Sequence, residues 1–257
     1  MSIQGPSRFE EGLLRGFIWA YVGGVFGAVF LGLLRIIELL DLPLLPEVPA
    51  AAAAGAVSAL FYGSMRLAVL AAMAGTVASF GFLALMTTAV APVVMAFTSG
   101  FAGLLLGAFY GRFVRSSRVF RADAKTLAGL LAGVFGALVL LGIGSVFGQL
   151  PLWATTAILC PTIGLIYILI APWFVRHFHN LLPPVGDGAL VGAGVAAFVG
   201  LAVWVMVGQI NPQVTGPYAE MARHILDRLP EAAAGAMAGA ALAGFLGGLA
   251  GRKWQDL

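Results

Sequence analysis

The chain reads as an all-α membrane protein: eight transmembrane helices built as four parallel, glycine-rich helical-hairpin repeats, in one polytopic domain over residues 1–257. Three observations predict this. The 257 residues are 61% hydrophobic and only 10% charged, where a soluble domain carries about 25% charged residues. Apolar runs of roughly 18–22 residues recur, long enough to cross a hydrocarbon core about 30 Å thick. They are apolar all round, unlike the half-wet helices of a soluble bundle. The third observation is a glycine frame repeated four times.

In the odd-numbered runs the frame is a small residue, then Gly, then Val or Thr. It occurs as Gly23-Gly24-Val25, Ala74-Gly75-Thr76, Ala132-Gly133-Val134 and Ala193-Gly194-Val195. The even-numbered runs align without gaps on Gly55, Gly103, Gly164 and Gly239, with Phe61, Phe109, Ile170 and Phe245 six residues on. Two residues further come Gly63, Gly111, Pro172 and Gly247. From odd to even glycine the separations are 31, 28, 31 and 45 residues.

The spans follow in order. Span one, 14–34, comes after a polar start with Arg8, Glu10 and Glu11. That start lacks the short apolar core and cleavage site of a secretory signal, so the span is read as retained. Span two, 49–65, opens on the alanine run Ala50 to Ala54. Spans three (67–87) and four (92–112) are joined by a short turn carrying Pro92. Spans five (126–148) and six (153–175) are joined by Gly148-Gln149-Leu150-Pro151. Within span six, Cys160-Pro161 should break the helix locally, because proline removes a backbone donor and clashes with the preceding turn. Spans seven (188–208) and eight (232–251) flank a longer connection. In it Met221, Ile225 and Leu229 recur at helical spacing among Glu220, Arg223, Asp227 and Arg228. This predicts a short amphipathic helix lying on the outer surface. The hairpins are thus about 14–65, 67–112, 126–175 and 188–251.

Charge sets the orientation. With the termini and the loops after spans two, four and six on one side, that side holds eleven of the fourteen Lys and Arg residues. The positive-inside rule then puts both termini in the cytoplasm and the protein in the cell (inner) membrane. Trp153, Trp173 and Trp254 fall near span ends, as interfacial anchors do. The net charge of +3 does not point to nucleic acid, because the basic residues sit at span ends. Arg112, Arg115, Arg118, Arg121 and Lys125 share one cytoplasmic loop. They are candidate contacts for anionic lipid, at about 1 kcal/mol per basic residue near the surface.

Glycines spaced by four line one helix face. In lipid, where hydrophobic drive between helices is weak, such faces allow close backbone contact. Gly24, Gly55, Gly75, Gly103, Gly107, Gly133, Gly164, Gly194 and Gly239 are therefore expected to pack helix on helix. All four hairpins start and end on the same side, so any symmetry axis should run along the membrane normal.

The predicted span interiors carry no Asp, Glu, Lys, Arg or His. Such residues mark proton relays and ion pathways, and haem needs axial ligands within the bundle. The reading is of a protein without a cofactor or metal, and not an enzyme. The Gly-rich repeated hairpin is similar to rotor proteolipids of rotary ATPases, but the even helices lack their mid-membrane carboxylate. Thr98-Ser99-Gly100-Phe101-Ala102-Gly103 resembles the serine segment of rhomboid proteases, but the later span that should hold the histidine has none. One cysteine, Cys160, leaves no internal disulfide. Polar groups remain at Thr98, Ser99, Cys160 and Thr162, candidates for a pathway or pocket. The first expectation is a structural or assembly subunit of a larger membrane complex, binding other subunits through Met221, Ile225 and Leu229. The second is a passive channel or permease-like subunit for a neutral or apolar solute.

Overall fold

The computed structural model describes residues 7–39, 45–86, 90–113, 121–148, 150–178, 181–210 and 217–249. Among them are eight α-helices: α1 (Arg8–Leu39), α2 (Glu47–Gly63), α3 (Met65–Leu85), α4 (Pro92–Phe113), α5 (Ala122–Phe147), α6 (Leu152–His177), α7 (Pro184–Ile210) and α8 (Pro217–Leu249). Seven are long and apolar enough to cross a membrane, so the chain is a multi-pass membrane protein. The helix below that length is α2, with 17 residues.

α2 is also the innermost element. Nine of its 17 residues are buried, from Ala50 to Leu60, because an alanine-rich surface lets neighbours approach from several sides. It packs on α1 and α5. α1, α2, α5, α6 and α8 close a five-helix ring through the contacts α1·α2, α2·α5, α5·α6, α6·α8 and α8·α1. α3, α4 and α7 form a second group, joined to the ring where α7 meets α8, α2 and α5.

The closest approaches join elements far apart in sequence. α1 lies antiparallel on α8: Gly12 meets Phe245, Gly16 meets Ala241 and Gly27 meets Ala232. α4 lies antiparallel on α7, with Gly103, Gly107 and Gly111 facing the backbone of Gly192, Gly188 and Pro184. α2 and α5 interlock through Gly55 and Gly129, and through Gly133 against Ala51. α6 and α8 run parallel, because Gly235 meets Trp153 and Gly239 meets Ala157. At these backbone contacts, apart from the looser ones of Gly12 and Gly16, a side chain would occupy the space of a carbonyl on the facing helix.

The expected outer-surface helix is not a separate element. Residues 217–249 form one 33-residue helix that runs through Pro230. Its first half is held by packing rather than by a membrane surface: Met221 and Ile225 are buried with Leu31, Met95, Trp204 and Val205. α5 ends as expected, on Gly148 at φ 79°, the left-handed region that glycine enters without a Cβ clash.

Candidate functional site

Pro161 and Pro172 leave the carbonyls of Ala157 and Ile168 without their helical donors, since proline has no N–H. The first carbonyl is covered: Gly239 of α8 sits against Ala157, which only a residue without a side chain can do this closely. α6 nonetheless stays helical through Pro161, so the local break expected at Cys160-Pro161 does not occur, and the freed carbonyl serves contact with α8. Beside this contact a cavity of about 70 Å³ opens, with lining residues from all five helices of the ring. A single water needs roughly 10–15 Å³, so the space admits several waters or one small organic molecule.

The cavity is mostly apolar. Phe26 of α1, Cys160 and Ile163 of α6, and Ala240 of α8 line it, with Trp19 and Val22 on the α1 wall. Its hydroxyls come from Ser58 and Tyr62 of α2 and Tyr167 of α6. Ser58 is 8% exposed, and its Oγ has no hydrogen-bond partner. A serine inside a helix ordinarily bonds the carbonyl one turn back, so Ser58 leaves a buried polar atom without a partner among the described residues, on a residue that lines the space. Tyr62 and Tyr167 lie within electrostatic range of each other, and Arg15 within range of Tyr62. Arg15 is buried in α1. It donates to Glu11 Oε1 at 2.7 Å and to the Gly247 carbonyl at 3.4 Å. Its charge is therefore met by a carboxylate of its own helix.

Of the four polar residues singled out in the sequence, Cys160 lines this cavity and the others do not. Ser99 is wholly buried between α4, α3 and α7. Its Oγ lies 2.7 Å from Ser79 Oγ, which in turn donates to the Gly75 carbonyl at 2.7 Å. It thus bonds a neighbouring helix rather than its own preceding turn, in the notch left by Gly200 of α7. Thr98 is bonded to the Val94 carbonyl and Thr162 to the Ile158 carbonyl. The hydroxyls of α3 to α6 thus do not converge on one space.

The frame glycines fall into two kinds. Gly55, Gly75, Gly103, Gly107, Gly133 and Gly239 face backbone of another helix, whereas Gly24, Gly164 and Gly194 face the side chains of Met237, Trp19 and Leu60. On α1 it is Gly23 that touches the α8 backbone, at the Ala236 carbonyl.

The patch expected to meet a partner is consumed within the chain. Met221 and Ile225 are 7% and 3% exposed. Ile225 and Leu229 line a wholly apolar cleft of about 70 Å³ with Val29, Leu33 and Trp204. The helical period had identified an apolar face correctly, but α1 and α7 cover it. Of the basic cluster, Arg112 is exposed, Arg121 donates to the Val175 carbonyl at 3.4 Å and Lys125 packs its stem on Gly63. Arg115 and Arg118 lie outside the described residues.

Ser58, Tyr62 and Tyr167 were missed as a set. Ser58 and Tyr167 each stand three residues after a frame glycine, Gly55 and Gly164, so they share one position of the repeat. That coincidence was the available signal.

Comparison of the chain with protein-family models, with curated proteins and with solved structures returns no match.

Proposed function

We propose that this chain is an eight-span protein of the cell (inner) membrane, with four parallel hairpins and both termini in the cytoplasm. We propose further that it is a non-enzymatic, permease-like subunit for a small neutral, largely apolar solute. The observation that carries this is the cavity within the five-helix ring, apolar but for the Ser58, Tyr62, Tyr167 and Cys160 side chains. Pockets of this make-up, mostly apolar with a few placed polar groups, are the usual form of a small-molecule site. The eighth crossing rests on α2. Its 17 residues span about 25 Å at 1.5 Å per residue, the short end of what a bilayer accepts. The orientation rests on the division of basic residues, and antiparallel packing brings the start of α1 and the end of α8 to one end of the bundle. Anionic lipid at that end would meet Arg112 in its exposed position.

An assembly subunit, the first expectation from sequence, loses its named contact because Met221 and Ile225 are covered by the chain itself. The test is reconstitution into proteoliposomes, with stopped-flow light scattering against glycerol and 1,2-butanediol. The protein should speed entry of the diol above empty vesicles, and Val22→Phe, at the cavity wall, should reduce that rate several-fold. Vesicles with and without protein responding alike would overturn the permease reading.

A further inference from the structure

The cavity carries more information than its existence. Its walls offer no carboxylate, and the nearest buried cation, Arg15, is already bonded to Glu11 at 2.7 Å. Nothing there compensates a charged guest, and burying an unpaired charge is prohibitive in an apolar site. What its lining does include is Ser58, whose buried Oγ has no hydrogen-bond partner among the described residues and needs only a turn of its side chain to meet a guest. Such a group costs stability until something satisfies it. A hydroxyl both donates and accepts, so it accepts an alcohol or a carbonyl oxygen equally well. Water is a poorer occupant, because an ordered buried water makes about three hydrogen bonds and most of this lining is hydrocarbon.

We infer that the cavity is a binding site for a small neutral molecule carrying one oxygen, an alcohol or carbonyl compound, whose oxygen bonds Ser58 and whose hydrocarbon body packs on Phe26, Ile163 and Trp19. This rests on the reading of the cavity as a solute site and adds the recognition element. Ser58 is the specificity-determining residue. Tyr62 and Tyr167 line the same space. The discrimination is between an oxygenated molecule and a hydrocarbon of equal size, because a hydrocarbon leaves the hydroxyl unpaired.

Cys160, the chain's one cysteine, lines the same space and reports on its occupancy. The experiment uses the full chain in mild detergent. Modification of Cys160 by the small neutral reagent methyl methanethiosulfonate is followed by intact mass, with 1-butanol or n-pentane as the added probe. 1-Butanol should slow modification of the wild type at least threefold, n-pentane distinctly less. Ser58→Ala should abolish the difference between the two probes. The melting temperature of the unliganded Ser58→Ala protein should hold or rise, because the substitution removes an unsatisfied polar atom. Equal protection by both probes, unchanged selectivity in Ser58→Ala, or a lowered melting temperature in that variant would each overturn the assignment. So would equally fast modification by a charged methanethiosulfonate, since the space would then be open to water. Selective protection without flux into vesicles would retain the site and remove the permease reading. Flux with no protection would do the reverse.

Discussion

Gly103 and Leu105 stand two residues apart on α4 and answer to different neighbours. Gly103 faces the Gly192 carbonyl of α7, whereas Leu105 is 55% exposed on the outer face. Gly103→Leu should therefore cost at least about 1–3 kcal/mol, the range for overpacking, while Leu105→Ala should stay within about 0.5 kcal/mol. Melting temperatures of the two variants in one detergent check this, and similar values would remove the backbone-contact argument. The Ser79–Ser99 pair gives a second residue-scale prediction. A double-mutant cycle to alanine should return a coupling near 0.6 kcal/mol and below about 1.7 kcal/mol, the range for hydrogen bonds between membrane helices; zero coupling would mean that the two hydroxyls do not bond. The glycines at helix contacts were legible because spacing by four is a property of sequence. The partner of each was not, since small residues permit close approach without naming what approaches. Ser99 was legible as a buried hydroxyl and misassigned for the same reason.

At the scale of the helix, the start of α5 is tied to the start of α7 and to the segment just before it. Asp187, in the first turn of α7, accepts the Asp123 N–H at 3.3 Å, and Asp123 Oδ2 accepts the Leu182 N–H at 3.1 Å. Carboxylates satisfy the unpaired donors of a helix start and favour its positive end. Asp187→Ala should cost about 1 kcal/mol, as loss of a cap does, read as a lower melting temperature; no change would mean that the bond is idle. α8 makes the other element-scale test. Spin labels at Arg223 and Ala243 should lie about 30 Å apart, at 1.5 Å per residue along one helix. A markedly shorter distance would restore two separate helices. The sequence pointed to a break here because the amphipathic stretch and the apolar stretch have different compositions. Continuity came from the packing of Met221 and Ile225 on α1 and α7, which no local pattern contains.

On the scale of the molecule, adjacent spans were taken as hairpins, and the tight contacts instead join α1 to α8, α4 to α7 and α2 to α5. These three pairs are antiparallel, as an odd and an even span would be if direction alternates. A cysteine in place of Ser145, near the end of α5, and one in place of His177, at the end of α6, should label from opposite sides of the membrane in a Cys160→Ala background. Both side chains are exposed. Labelling of both from one side would contradict the crossing pattern. The lack of an acidic or basic residue in most span interiors was readable directly, while buried Arg15 was not: its partner Glu11 reads as part of the polar start, and nothing local shows that the Gly247 carbonyl of the last span lies against it.

The pairing of α1 with α8 also sets a timetable. α1 leaves the ribosome long before its closest partner, α8. At 5–20 residues per second, the glycine face of α1 waits on the order of 10–40 seconds for α8. During that interval its backbone polar groups are satisfied within the helix, but its smooth face is open to lipid or to any other small-residue helix. A nascent chain stopped before Pro217 would carry that face permanently bare, as would the α6 face that receives Gly235 and Gly239. Membrane proteases that recognise loosely packed helices would then meet an unclosed ring, so the lifetime of such a chain in the cell should be set by whether α8 has arrived.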